Sequence, residues 1–166
     1  MPIGIDHKDF LKKGTIDEIV YEKCSHLLGK SKIIISEQKI DIMKKIKNTI
    51  SRNSSKKIFF NEDYTYSKTS EGFIYRDKLG QINLPLPNLT GDFQISNVTT
   101  AIATVRNLNQ FEITESHIKK AITKIKSEGR LQNIKKGKLR RYVSKNNQIL
   151  VDGAHNPLAA LAVKKH

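Results

Sequence analysis

The stretch Gln148-Ile149-Leu150-Val151-Asp152-Gly153-Ala154-His155-Asn156-Pro157-Leu158-Ala159 is the most instructive part of the chain. Gln148–Val151 is a short apolar run that predicts a buried strand. Gly153 permits a tight turn, and Pro157 suits the first position of a helix, where its missing N–H is not needed. Residues 158–165 then predict that helix. A strand, a tight turn and a helix in this order open an α/β unit. They place Asp152 and His155 at the C-terminal end of the strand, where open α/β sheets bind ligands. An aspartate there accepts hydrogen bonds from ribose hydroxyls, and an imidazole contacts phosphate or a transferring group. By spacing alone, the same residues read equally as a well-capped turn.

Upstream, Leu131–Ile134 and Leu139–Val143 predict a hairpin, with the basic run Lys135-Lys136-Gly137-Lys138-Leu139-Arg140-Arg141 on its solvated surface. Thr114-Glu115 caps a helix whose inner face is Ile118, Ala121, Ile122 and Ile125, broken at Gly129-Arg130. Ile95, Val98, Ile102 and Val105 mark a helix over about 92–108. Tyr64–Ser67, Gly72–Arg76 and Gln81–Leu84 predict short antiparallel strands, closed by Pro85 and Pro87. Earlier still, the order is a strand at 57–60, a helix at 39–52, a strand at 32–36 and a helix at 16–28. That helix opens on Thr15 with Glu18 in a capping box and ends at Gly29. Pro2-Ile3-Gly4-Ile5 reads as the end of a strand with Asp6-His7 at its mouth. This alternation predicts an α/β fold with a parallel sheet flanked by helices.

The 166 residues include 30 Lys or Arg and 16 Asp or Glu, a formal charge of +14. With 37% hydrophobic and 28% charged residues, a disordered polyampholyte is excluded. No run approaches the ~18–20 apolar residues of a membrane span. The first residues lack the basic start and apolar stretch of a signal peptide. Cys24 is the one cysteine, so no internal disulfide forms, no zinc spacing occurs, and a reducing cytoplasm is expected. The lysines are dispersed from Lys8 to Lys165, and the densest basic stretch has only Tyr142 beside it. Nucleic-acid binding needs clustered charge with interleaved aromatics, so it is the disfavoured partner class.

Three further constellations carry chemistry. Gly29-Lys30-Ser31 has the tail of a phosphate-binding loop, but Cys24 stands where its first glycine belongs and a helix precedes it. It reads as a helix end before a strand. Lys23 sits at i+4 from Ile19 and i+3 from Val20, near the inner face of its helix. A partly buried lysine is costly unless neutralised or modified, for example to a carbamate that binds Mg²⁺. Gln94 and Asn97 are i,i+3 neighbours at a helix start, where two amides can face one purine edge.

In their order along the chain these residues resemble the Mur ligase superfamily, specifically folylpolyglutamate synthase/dihydrofolate synthase. The resemblance is carried by Ile5-Asp6-His7 with Phe10-Leu11, Ile19 with Glu22-Lys23, Leu89-x-Gly91-x-x-Gln94-x-x-Asn97, Gly129-Arg130-Leu131-Gln132, and Asp152–Pro157 with Ala159-Ala160. It implies the later part of a P-loop-type central ATPase domain at 1–129, and the start of a Rossmann-like C-terminal domain at 130–166. It implies ATP and Mg²⁺ as cofactors, with glutamate joined to a folate or dihydropteroate through an acyl phosphate. His7 is similar to the Mg²⁺-binding histidine and Lys23 to the carbamylated lysine. Asn97 matches the adenine-side asparagine, Gln94 its supporting residue, and Arg130 the phosphate-contacting arginine of the linker. Asp152 matches the nucleotide-binding aspartate with His155 beside it, so Lys23 and His155 stand as the catalytic candidates.

The departures are specific. The family's TNGKGS-like phosphate loop has no counterpart here. Phe93 stands where a histidine is usual, Cys24-Ser25 where Ala-Gly is usual, and the Lys12-Lys13-Gly14 loop is one residue longer. The expectation is therefore a chain truncated at both ends and inactive alone. It would work as half of a split ligase with a separately encoded N-terminal half, or as a residual nucleotide-binding module.

Overall fold

In the computed structural model, residues 2–6, 11–27 and 31–165 are described. Helix α1 (Ile16–Ser25) starts at the expected capping box: the Thr15 hydroxyl accepts from the Glu18 N–H, and the Glu18 carboxylate accepts from the Thr15 N–H. The same carboxylate accepts from the Lys13 N–H at 2.8 Å, which fixes the preceding loop. Strand β1 (Lys32–Ile35), helix α2 (Ile40–Thr49) and strand β2 (Lys56–Phe59) follow, and the two strands pair in parallel from Lys32↔Lys56 to Ile35↔Phe59.

The period-2 alternation of β1 divides the interior. Ile33 and Ile35 face Val20 of α1 and Ile42, Ile46 and Ile50 of the α2 region, while Ile34 packs on the opposite side. There lies the larger core, shared by three antiparallel strands and two helices. Strands β3 (Tyr64–Lys68), β4 (Gly72–Asp77) and β5 (Gly80–Pro85) form a meander in that order. Tyr64, Phe73, Tyr75, Ile82 and Leu84 meet Ile95, Val98 and Ile102 of α3 (Phe93–Arg106) and Ile118 and Ile122 of α4 (Glu115–Lys124). Two polar ties lock this core. The Tyr64 hydroxyl donates to the Ile35 carbonyl at 2.9 Å, joining meander to parallel pair. Arg106 grips Asp77 with two hydrogen bonds of 2.8 and 2.9 Å, and the Tyr75 hydroxyl adds a third at 3.1 Å. The chain ends with a two-stranded antiparallel pair, β6 (Gln132–Asn133) and β7 (Leu150–Val151), and helix α5 (Pro157–Lys164).

The α/β class is the one expected, and most elements fall within a few residues of their predicted spans. Four expectations are corrected. Residues 2–5 form no strand, because the Ile3 N–H bonds the Gln38 side chain at 2.7 Å instead of a ladder partner. Residues 139–143 are not half of a hairpin: Lys138–Tyr142 forms one 3-10 turn after Gly137, and Arg140 Nη2 donates to the Ser144 and Lys145 carbonyls. Strand β6 pairs with β7 instead. The predicted buried strand at 148–151 is exposed, with Leu150 at 43% and Val151 at 41%, since among the described residues only β6 flanks it. Helix α4 stops at Lys124, not at Gly129, and Ala121 is exposed. Its last carbonyls are taken by Asn88, whose N–H reaches Ile122 and whose side-chain amide reaches Ile125. Among the described residues no helix is long and apolar enough to cross a membrane.

Candidate functional site

Leu131 is where the separate segments meet. Its side chain is 1% exposed although its φ is +45°, a left-handed backbone that non-glycine residues adopt only under constraint. Two constraints are visible. The Leu131 N–H donates to Asp152 Oδ2 at 2.8 Å, and its side chain lies against Gly91 at the entry to α3. Gly91 itself has φ +103°, and a Cβ there would lie 2.6 Å from the Phe93 ring and 3.0 Å from Leu131 Cδ1. Only glycine fits this approach.

Asp152 staples the same region from the other side. One carboxylate oxygen takes the Leu131 N–H, and the other takes the Ala154 N–H at 2.8 Å, which shapes the turn after β7. The Gly153 N–H donates to the Gly129 carbonyl at 2.8 Å, and the Gly129 N–H donates to Gln132 Oε1 at 2.9 Å. An ionised carboxylate has about four acceptor sites, so Asp152 keeps capacity for a further donor such as a ribose hydroxyl. In this fold it holds the backbone of Leu131.

Gln94 and Asn97 stand on the first turns of α3. Gln94 is buried, Asn97 half-buried, and Asn97 Nδ2 donates to Gln94 Oε1 at 3.0 Å. The shared bond orients both amides and leaves the Asn97 carbonyl and its second N–H able to pair with a further polar group. Arg130 is exposed and lies between Gly129 and Leu131, whose backbone N–H groups are hydrogen-bonded to Gln132 and Asp152. His155 is also exposed, with Nδ1 2.8 Å from the Gly153 carbonyl. The structure joins Gly91 at the α3 entry, Leu131 and Asp152; Arg130 and His155 adjoin these in sequence, and the Gln94–Asn97 pair stands on the first turns of α3.

Lys23 is placed differently from its reading in the sequence. It is exposed, since α1 turns Ile19 and Val20 inward and the lysine points away from that face. Burial therefore supplies no reason for its modification. Cys24 is half-buried on α1, and burial pushes its thiol up, away from reactive thiolate chemistry. His7 lies outside the described residues, as do Gly29 and Lys30. Among the described residues no three His, Cys, Asp or Glu side chains group as metal ligands. The described donor set therefore does not by itself fit Mg²⁺.

A cleft of about 520 Å³ opens between residues 3–6, the start of α2 and α5. Ile16, Ile42, Leu158 and Leu161 give it apolar walls, and Asp6 and His155 are among its polar lining. The sequence reading did not foresee Leu131 as the junction or Asn156 as a structural link. Asn156 was legible in principle, because Asn-Pro is the signature of a helix N-cap followed by its first residue. Its Oδ1 does accept the Ala159 N–H at 2.8 Å.

With this geometry in view, the comparisons with known proteins are specific. The dihydrofolate synthase/folylpolyglutamate synthase of Haemophilus influenzae is 28% identical over 171 residues, covering 95% of this chain and 36% of that protein. The E. coli FolC structure in complex with DHPP and ADP gives a TM-score of 0.73 at 25% identity, over 99% of this chain and 36% of that one. An FPGS–AMPPCP–folate complex gives a TM-score of 0.80 at 23% identity, over 99% of this chain and 40% of that one. The chain is similar to one part of folylpolyglutamate/dihydrofolate synthase. It spans little more than a third of the length of the relatives it matches. No protein-family model matches it. The Mur-ligase type of fold is shared over this region, and nucleotides occupy both solved relatives named here.

Proposed function

We propose that the chain is the portion of an ATP-dependent folate ligase that gathers the base side of the nucleotide site and the linker between two domains, 1–129 and 130–166. The observation that carries this reading is the convergence on Leu131. One hydrogen bond from its N–H and one apolar contact of its side chain join the Gly91 entry to α3, three residues before Gln94, to the Arg130 segment and the Asp152 turn.

In this reading Gln94 and Asn97 hold the adenine edge, and Arg130 offers its guanidinium to phosphate oxygens, which gather negative charge during acyl transfer. Asp152 fixes the linker and accepts from a ribose hydroxyl, with His155 beside the phosphates. ATP supplies the phosphoryl group that activates a folate or dihydropteroate carboxylate for attack by the amine of glutamate. The open cleft beside Asp6 and His155, about 520 Å³ with apolar walls from Ile16, Ile42, Leu158 and Leu161, is the place this reading gives to the folate. For Mg²⁺, only the family resemblance, and not the described donor set, points to His7 and a carbamylated Lys23. The setting is the reducing cytoplasm.

The sequence holds no complete GxxxxGK[ST] loop, so the phosphates need a cradle from a polypeptide that supplies the part of the relatives this chain does not match. The test is ADP release dependent on both glutamate and a folate, or dihydropteroate in its place. It is measured with the chain alone and with a polypeptide bearing a TNGKGS-like loop. Turnover is expected only in the mixture. Turnover by the chain alone would overturn the need for a partner. No turnover in a mixture shown to associate would overturn the ligase reading.

A further inference from the structure

We infer that Asp6 is a positioning residue that clasps the turn carrying Asp152 and His155; this rests on the nucleotide-site reading above. Asp6 Oδ2 accepts from Asn156 Nδ2 at 2.9 Å, a bond between residues 150 positions apart. The other end of the same amide, Asn156 Oδ1, accepts the Ala159 N–H and caps α5. One planar side chain therefore joins residues 2–6 to the start of α5 and is fixed at both ends. His155 Nε2 lies 3.8 Å from the same Asp6 oxygen, while Nδ1 donates to the Gly153 carbonyl, so the ring stands between the turn and the clasp.

Two independent contacts hold Asp6 in place. On one side, the Ile3 N–H is anchored to Gln38, whose amide in turn donates to Ser36 just past the C-terminal end of β1. On the other, Gly4 is seated directly on α5: a Cβ there would lie 3.0 Å from Leu158 Cδ2 and 3.2 Å from Leu158 Cβ. The contacts run from the mouth of the parallel strands through Gln38, Ile3 and Asp6 to Asn156 and α5. Asp6 is the charged member of this series. With its side chain 28% exposed, its bond is shielded enough to count. Its role is to set the angle of the Asp152–Asn156 turn against the first domain, and so the approach of His155 and Asp152 to a nucleotide held by Gln94 and Asn97.

A polarity swap tests this. Asn156→Asp keeps a good N-cap but sets two carboxylates face to face. Adding Asp6→Asn restores one donor and one acceptor in reversed order. Amide hydrogen exchange over residues 153–161, the affinity for a fluorescent ATP analogue and the thermal midpoint are measured for the full chain and each variant. Asn156→Asp is expected to speed exchange by about tenfold and to weaken the analogue by a similar factor, with the midpoint of the rest of the fold little moved. The double variant is expected to recover most of both. Unchanged exchange in Asn156→Asp, or no recovery in the double variant, would overturn the clasp. If the unaltered chain binds the analogue and no variant changes its affinity, the positioning role is overturned. If the unaltered chain binds none even when mixed with an associating polypeptide that bears the phosphate loop, the nucleotide reading fails, and the exchange pattern alone still decides whether the clasp exists.

Discussion

Leu131 shows what a sequence conceals at the scale of one residue. Its neighbours Gly129 and Arg130 stand out as a motif, but nothing in the spelling Arg130-Leu131-Gln132 announces a buried leucine at φ +45°. That conformation exists because Asp152, 21 positions away, takes its N–H, and long-range causes of this kind leave no local periodicity. Thr99 is similarly silent. It is fully buried in α3 and its hydroxyl has no hydrogen-bond partner among the described residues. Removing an unsatisfied buried hydroxyl without changing shape recovers its desolvation cost, so Thr99→Val should raise stability by about 1 kcal/mol, read as a higher urea midpoint. Asp77 carries a pH signature. Burial alone pushes its carboxyl up, but the Arg106 guanidinium and the Leu79 N–H outweigh burial and hold it below the usual carboxylate range. A depressed folded value means stability that is fully present above the ordinary carboxylate value near ~4 and is lost as pH falls through the folded one. Urea midpoints between neutral and acid pH should fall less steeply for Asp77→Asn than for the unaltered chain. The variant should also be weaker at neutral pH by roughly 1–3 kcal/mol, because Arg106 keeps an acceptor but loses its counter-charge.

Elements were legible where pattern and cap agreed. Thr15 with Glu18, and Thr114 before Glu115, marked helix starts that the structure reproduces, although at α4 the residue completing the box is His117. Removing the Thr15 hydroxyl bond should cost about 1 kcal/mol, and Thr15→Ala should also speed hydrogen exchange in the first turn of α1. Thr15→Ser should restore both. Legibility failed where apolar runs were short. Leu139–Val143 offered alternation, but Arg140-Arg141 interrupts it and the guanidinium of Arg140 finds carbonyls within its own loop. Leu139 and Tyr142 remain exposed, so no burial rewarded a strand there. Lys23 failed for a related reason. A seven-residue helical pattern tolerates an error of one position in the inner face, and α1 resolves it in favour of Ile19 and Val20.

For the whole molecule, the parallel pair between two cores was readable from the order of elements. The distances that assemble the candidate site were not, because they join residues 91, 131 and 152 across intervening helices. Charge is a property of the same scale. A net +14 spread over the surface repels itself. Raising salt from about 0.01 M to 0.15 M shortens the Debye length from ~30 to ~8 Å, so the thermal midpoint should rise over that range. A fall would mean that exposed attractions such as Lys45–Asp17 and Lys68–Asp92 outweigh the repulsion. The site itself is best probed by titrating the isotopically labelled chain with ATP and following backbone amide resonances. One saturable affinity is predicted to move Gln94, Asn97, Gly129, Leu131, Gly153 and Ala154 together, and Asn97→Ala should weaken all of them alike. Shifts confined to a single segment, or none at saturating ATP, would contradict a nucleotide site built from these three segments.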